Sequence, residues 1–111
     1  MNENEAETVW LSPSVDAWLH RARDTRRLKD KFKKAQRAIR IMRQAGPSYP
    51  SFCTHQMEHL PGPGGATIWN SYVENKTPQA WRMYWVRCDD GSIQIVSIGP
   101  HDHYPGEQPD P

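Results

Sequence analysis

The stretch Ala80-Trp81-Arg82-Met83-Tyr84-Trp85-Val86-Arg87-Cys88-Asp89-Asp90-Gly91-Ser92-Ile93-Gln94-Ile95-Val96-Ser97-Ile98 decides the fold. Two runs of aromatic and β-branched residues, 80–87 and 92–98, flank Asp89-Asp90-Gly91, and an Asp-Gly pair accepts the positive φ of a tight hairpin turn. Strand alternation places Trp81, Met83, Trp85 and Arg87 on one side of the first run, with Arg82, Tyr84 and Val86 on the other. Three large apolar groups on one side need a covering layer. Arg82 then projects from the opposite, open sheet face.

Working toward the N-terminus, 67–73 reads as a further strand of the same meander, and Pro61-Gly62-Pro63-Gly64-Gly65 ahead of it as a loop linking strands. Residues 49–60 read as irregular. The covering layer comes earlier. Val15, Trp18, Leu19 and Ala22 recur at helical spacing behind Ser12-Pro13, an N-cap followed by a proline at the first helical position. A second stripe runs through Leu28, Phe32, Ala35, Ile39 and Met42 and ends at Gly46-Pro47, with a break expected at Asp24-Thr25. Thr8 to Leu11 forms a brief strand in front of both. The order is strand, two helices, three-stranded meander. That predicts an α+β domain in which two N-terminal helices pack on a small twisted antiparallel sheet. Residues 1–7 read as a polar tail, 8–104 as the single domain and 105–111 as a Pro-rich tail.

The chain has 111 residues, 36% of them hydrophobic, with a mean hydropathy of −0.89. Five Trp, four Tyr and two Phe still supply the bulk for one small core, which excludes wholesale disorder. No run approaches the roughly 20 apolar residues of a membrane span. The acidic start, Met1-Asn2-Glu3-Asn4-Glu5, is no secretory signal, so a cytoplasmic, membrane-free protein is expected. Cys53 and Cys88 lie far apart and read as ordinary reduced thiols, with a single disulfide as the alternative.

The net charge of +1 conceals a strong asymmetry. Residues 1–19 carry −4. Residues 20–43 carry eleven Lys/Arg against Asp24 and Asp30, and residues 44–111 carry −4. A segment of +9 on helices implies an anionic partner, and counterion release makes phosphates the natural one.

Several side chains are suited to chemistry. An Arg fixed on a strand, as Arg82 is, matches phosphate oxygens with its rigid fork, although an ion pair with a neighbouring acid occupies such positions as well. Ile98-Gly99-Pro100-His101-Asp102-His103-Tyr104 follows the last strand and carries proton-moving groups, or else forms a solvated turn. Glu58 sits ahead of the Pro-Gly loop, where an isolated Glu is ordinarily a surface residue. Cys53, His55, His59, His101 and His103 include HxxxH and HxH spacings. The first group lies outside a regular element that would aim both rings at one ion, so no metal site and no cofactor is assigned.

The order of these pieces resembles the RelE/ParE toxin superfamily of toxin–antitoxin modules. The matching parts are Val9-Trp10-Leu11-Ser12-Pro13-Ser14, the basic helical pair, Trp81-Arg82-Met83-Tyr84-Trp85-Val86, the hairpin and 98–104. The YoeB-like branch is most similar, with a Glu-x-Leu before the sheet, an Arg in an aromatic strand and a closing His-Tyr. Here these are Glu58-His59-Leu60, Arg82 and His103-Tyr104. The resemblance implies a ribosome-dependent mRNA endoribonuclease that cuts without metal, by attack of a 2′-hydroxyl on the adjacent phosphate. It implies Glu58 as base or as the group orienting it, Arg82 as phosphate ligand and His103 as general acid, with His101 as a competitor for that role and Tyr104 placing the RNA. Arg21, Arg23, Arg26, Arg27, Lys29, Lys31, Lys33, Lys34, Arg37 and Arg40 would meet ribosomal RNA. A cognate antitoxin is the implied protein partner. The same fold also serves ParE-like DNA gyrase inhibitors, and a degenerate toxin-like RNA- or partner-binding domain is the third reading.

Overall fold

The computed structural model describes residues 6–100 apart from 76 and 78, with 59–61 described through their backbone. It is an α+β domain with two helices on one face of a five-stranded sheet. Strand β1 (Val9–Leu11) leads into helix α1 (Pro13–Arg23), where Ser12 Oγ accepts the Val15 N–H at 3.4 Å and Pro13 opens the helix. A short 3₁₀ turn at Arg26–Leu28 separates α1 from α2 (Lys29–Ala45). Gly46 ends α2 at φ 79°, in the left-handed half of the map where a glycine escapes the Cβ penalty.

The sheet continues with β2 (His55–Pro61), β3 (Thr67–Tyr72), β4 (Arg82–Arg87) and β5 (Ile93–Gly99), in the spatial order β1-β5-β4-β3-β2. Three sequence expectations are corrected by the structure. The sheet is mixed rather than antiparallel, because β1 runs parallel to β5, with Trp10 paired to Gln94. The stretch read as irregular holds an edge strand, β2, which pairs antiparallel with β3 from His55–Asn70 to Met57–Ile68 before a register shift. Glu7, expected in the tail, is tied down: its N–H and that of Ala6 donate to the Arg43 carbonyl, and Arg87 pairs with its carboxylate at 2.8 Å.

Alternation in β4 is as read. Met83 and Trp85 are buried beneath the helices with Val15, Trp18, Ala22, Ala35, Ile39 and Met42. The opposite face is less open than expected, because Ile68, Tyr84, Val86 and Val96 form a second buried cluster there. A bulge in β5 serves both layers: Tyr84 pairs with Ser97 but Trp85 with Ile95. Val96 is the extra residue, so Ile95 and Ile98 both reach the helix side although three positions apart.

The Pro-Gly loop does more than connect β2 to β3. A Cβ on Gly62 would stand 2.9 Å from the Ala66 carbonyl oxygen, 3.0 Å from Ile68 Cγ1 and 3.1 Å from Val86 Cγ1. The loop backbone is therefore pressed onto the second cluster. Gly62 has an ordinary φ of −87°, so any penalty of a side chain is one of contact. Gly62→Ala should lower the unfolding free energy by about 1–3 kcal/mol, the usual cost of overpacking. An unchanged midpoint in urea would show that the loop yields freely.

Candidate functional site

Arg82 opens β4, paired with Tyr72 of β3 on one side and with Gly99 of β5 on the other. Alternation puts it on the face away from the helices, in one row with Tyr72. The next row holds His55, Asn70 and Tyr84, and the one after it Met57, Ile68 and Val86. The guanidinium carbon lies 4.5 Å from the centre of the Tyr72 ring, and Nη2 donates to the Tyr72 hydroxyl at 3.1 Å. Stacking plus one hydrogen bond holds the fork against the sheet. Among the described residues no carboxylate pairs with it, so the ion pair weighed for Arg82 is not found there.

Among the described residues, three buried side-chain polar atoms have no hydrogen-bond partner, Trp18 Nε1, Asn70 Oδ1 and Arg82 Nε, and the last two belong to this face. Asn70 and Arg82 are diagonal neighbours on adjacent strands, with Cβ atoms within about 7–8 Å. A buried unpaired donor or acceptor costs about 1–3 kcal/mol, so one in the guanidinium and another in the next row mark a place built for something other than stability. His55 Nδ1 lies 2.9 Å from the Cys53 carbonyl, which can only accept, so this nitrogen carries the proton. Nε2 faces the Asn70 amide at 3.3 Å as an acceptor.

The candidate residues named from the sequence are therefore not all brought together. Glu58 is exposed on β2 just past Met57, level with the Thr67 end of β3. That is five residue steps from Tyr72, or about 16 Å along the strands, and two strands across from Arg82. The structure does not bring it to Arg82. His101, His103 and Tyr104 lie outside the described residues. Tyr72 touches Arg82, and Asn70 and His55 lie in the next row of the same sheet face; the three were not singled out as a catalytic group. The available signal was a polar pair, Asn70 and Tyr72, two apart in a strand. Among the described residues no three His, Cys, Asp or Glu side chains cluster as metal ligands.

The basic segment divides as well. Glu74, its side chain 9% exposed, takes Lys31 at 2.7 Å and Lys34 at 2.9 Å and accepts the Trp81 N–H at 3.1 Å. Burial alone would push this carboxyl up, but the hydrogen bonds from Lys31, Lys34 and Trp81 outweigh it and hold it below the usual carboxylate range. The same contact with Glu74, then Asp30, raises Lys34. Lys31 and Lys34, expected to meet RNA, are thus both paired with a carboxylate of this chain. Arg23 lies against Asp24 at 3.4 Å, whereas Arg21, Arg26, Lys29, Lys33, Arg37 and Arg40 are exposed.

Between α1 and α2 runs a groove of about 470 Å³, lined by Leu11, Leu19, Phe32, Ile39, Arg40 and Arg43. No helix is long and apolar enough to cross a membrane. Compared with known proteins, the chain matches no family model, and neither a curated protein nor a solved structure is significantly similar to it.

Proposed function

We propose that the protein is a RelE/ParE-like toxin domain that cleaves RNA on the sheet face carrying Arg82. The observation that carries this reading is the Arg82 guanidinium, stacked and hydrogen-bonded by Tyr72, lacking a carboxylate partner among the described residues and sharing its sheet face with an orphaned acceptor on Asn70. A partly buried cation held in that way is ready for an anion that arrives from outside.

The reaction is a transfer within the RNA strand. The 2′-oxygen attacks the adjacent phosphorus as its proton passes to a base. The bond from phosphorus to the 5′-oxygen breaks, and that oxygen takes a proton from an acid. The products are a 2′,3′-cyclic phosphate and a 5′-hydroxyl. Arg82 would hold the phosphate and oppose the charge that builds in the transition state, where preorganised charge is usually the largest catalytic contribution. His55 is the imidazole that shares this face with Arg82 among the described residues, and it replaces Glu58 as the nearer candidate for moving the proton. His101, His103 and Tyr104 keep their proposed roles through chain connectivity. Gly99 pairs with Arg82, and the segment that carries these three residues follows it directly in sequence. The groove between the helices, where Leu11, Leu19, Phe32 and Ile39 line it together with Gln36, Arg40 and Arg43, suits an acidic amphipathic segment of an antitoxin.

Purified protein added to a translating extract with one defined message should produce new 3′ ends that carry a cyclic phosphate. An intact message, with gyrase supercoiling blocked at stoichiometric protein, would instead select the gyrase-inhibitor reading.

A further inference from the structure

The cations of α2 do not form one patch. At 100° per residue, Lys29, Lys33, Arg37 and Arg40 fall within an arc of about 80°. Ala35, Ala38 and Met42, all buried, centre on the diametrically opposite side. The four cations are exposed, and among the described residues no carboxylate comes within ion-pair distance of them. Asp30, their nearest acid in sequence, turns to Lys34 at 3.1 Å. The other two lysines of the helix, Lys31 and Lys34, are taken by Glu74.

The four also follow one another at similar rises. Lys29 to Lys33 and Lys33 to Arg37 each rise about 6 Å along the axis, Arg37 to Arg40 about 4.5 Å, and the whole row spans about 17 Å. The step is comparable to the separation of successive phosphates along one nucleic-acid strand. A rigid helix with cations at that repeat pays no ordering cost to meet a regular polyanion, unlike cations scattered over loops.

We propose that Lys29, Lys33, Arg37 and Arg40 form a ladder that follows the phosphates of one strand of an RNA duplex, and that Lys31 and Lys34 take no part. The ladder deepens the RNA reading above and rests on it. It also separates the two tasks in space, because the ladder lies outside the helix layer and Arg82 on the far face of the sheet. The ladder anchors, and the sheet face acts.

The test is the salt dependence of binding to a fluorescein-labelled RNA hairpin, titrated between 50 and 300 mM KCl. Each phosphate contact contributes about 0.9 to the slope of log K against log salt, by analogy with duplex DNA. With all four residues changed to Gln, the slope should become shallower by about 3–4, and Arg37→Gln alone should remove about 1. Lys31→Gln with Lys34→Gln should leave it within about 0.5. All four ladder side chains are exposed, and thermal melting of each variant shows whether it folds.

An unchanged slope in the fourfold variant, or an equal loss in the Lys31/Lys34 variant, would overturn the ladder and leave the Arg82 reading standing. An equal loss of affinity for poly-glutamate would overturn it too, in favour of an acidic protein partner. If the wild type binds no RNA at all, the ladder and the RNA reading fall together.

Discussion

Arg82→Ala should reduce RNA cleavage by at least about 10²–10³-fold, the usual loss when one preorganised charge stabiliser is removed, while the domain stays folded. The side chain lies at the start of the central strand, partly exposed, and its side-chain contacts among the described residues are one ring and one hydroxyl, both on Tyr72. Removing it frees a buried Nε that has no partner and leaves no charge behind, so the melting temperature should hold or rise. Arg82→Lys should recover little, because a single ammonium cannot reproduce a fork stacked on an aromatic ring. Tyr72→Phe keeps the ring and loses the hydroxyl. It should therefore weaken cleavage far less than Tyr72→Ala, which loses both restraints on the guanidinium. If Arg82→Ala cleaves at the wild-type rate, the phosphate role is wrong.

The second large effect is structural, at a residue that charge counting passes over. Glu74→Ala should destabilise the domain by about 2 kcal/mol, the scale of lost hydrogen bonds to a charged group. That amounts to a fall of roughly 8–12 °C in melting temperature for a domain near this size. The Trp81 N–H and the Lys31 ammonium lose their acceptor together, and Lys31 also stands 5.4 Å from the centre of the Trp81 ring. The variant should bind polyanions more strongly, since Lys31 is released while Lys34 keeps Asp30, and its salt slope should steepen by about 1. The pH dependence has a definite sign. Because the folded protein holds the Glu74 carboxyl below its usual range, its stabilisation is complete above the ordinary carboxylate pKa. It disappears as the pH falls through the lowered folded value. Glu74→Gln should lose that acid-side component, so that its stability curve is flatter than the wild type below the ordinary carboxylate range. A wild-type curve with the same slope as Glu74→Gln would contradict the clamp.

The parts of this fold that were legible in sequence are those set by local pattern. Asp90-Gly91 marks the turn between β4 and β5, and Gly91 does take a φ of 88°. Apolar spacing in Val15–Ala22 and Leu28–Met42 gives both helices, and alternation through Met83 and Trp85 gives the core face. β2 was not legible, because its residues satisfy no strand pattern: it is an edge strand with exposed His55, Gln56 and Glu58, and pairing with β3 makes it a strand. The parallel β1–β5 pair joins residues more than eighty positions apart, and nothing local announces it. Neither does the bulge at Val96, which sets Gly99 opposite Arg82.

The candidate site divides along the same line. Arg82 could be placed by counting within one strand. Tyr72, Asn70 and His55 reach it only through the register of three strands, while Glu58, correctly noticed as an acid near the sheet, is carried off by that same register. Lys31 and Lys34 look like binding cations in a tally of charge. Their partner stands 43 and 40 residues away, at a position that only the tertiary fold supplies.

The measurement that bears most directly on the central claim is primer-extension mapping of messenger RNA ends in cells that express either the wild-type chain or Arg82→Ala. RNA cleavage at Arg82 predicts new 5′ ends inside translated reading frames with the wild type and none with the variant. The same ends from both proteins, or no new ends from either, would contradict it.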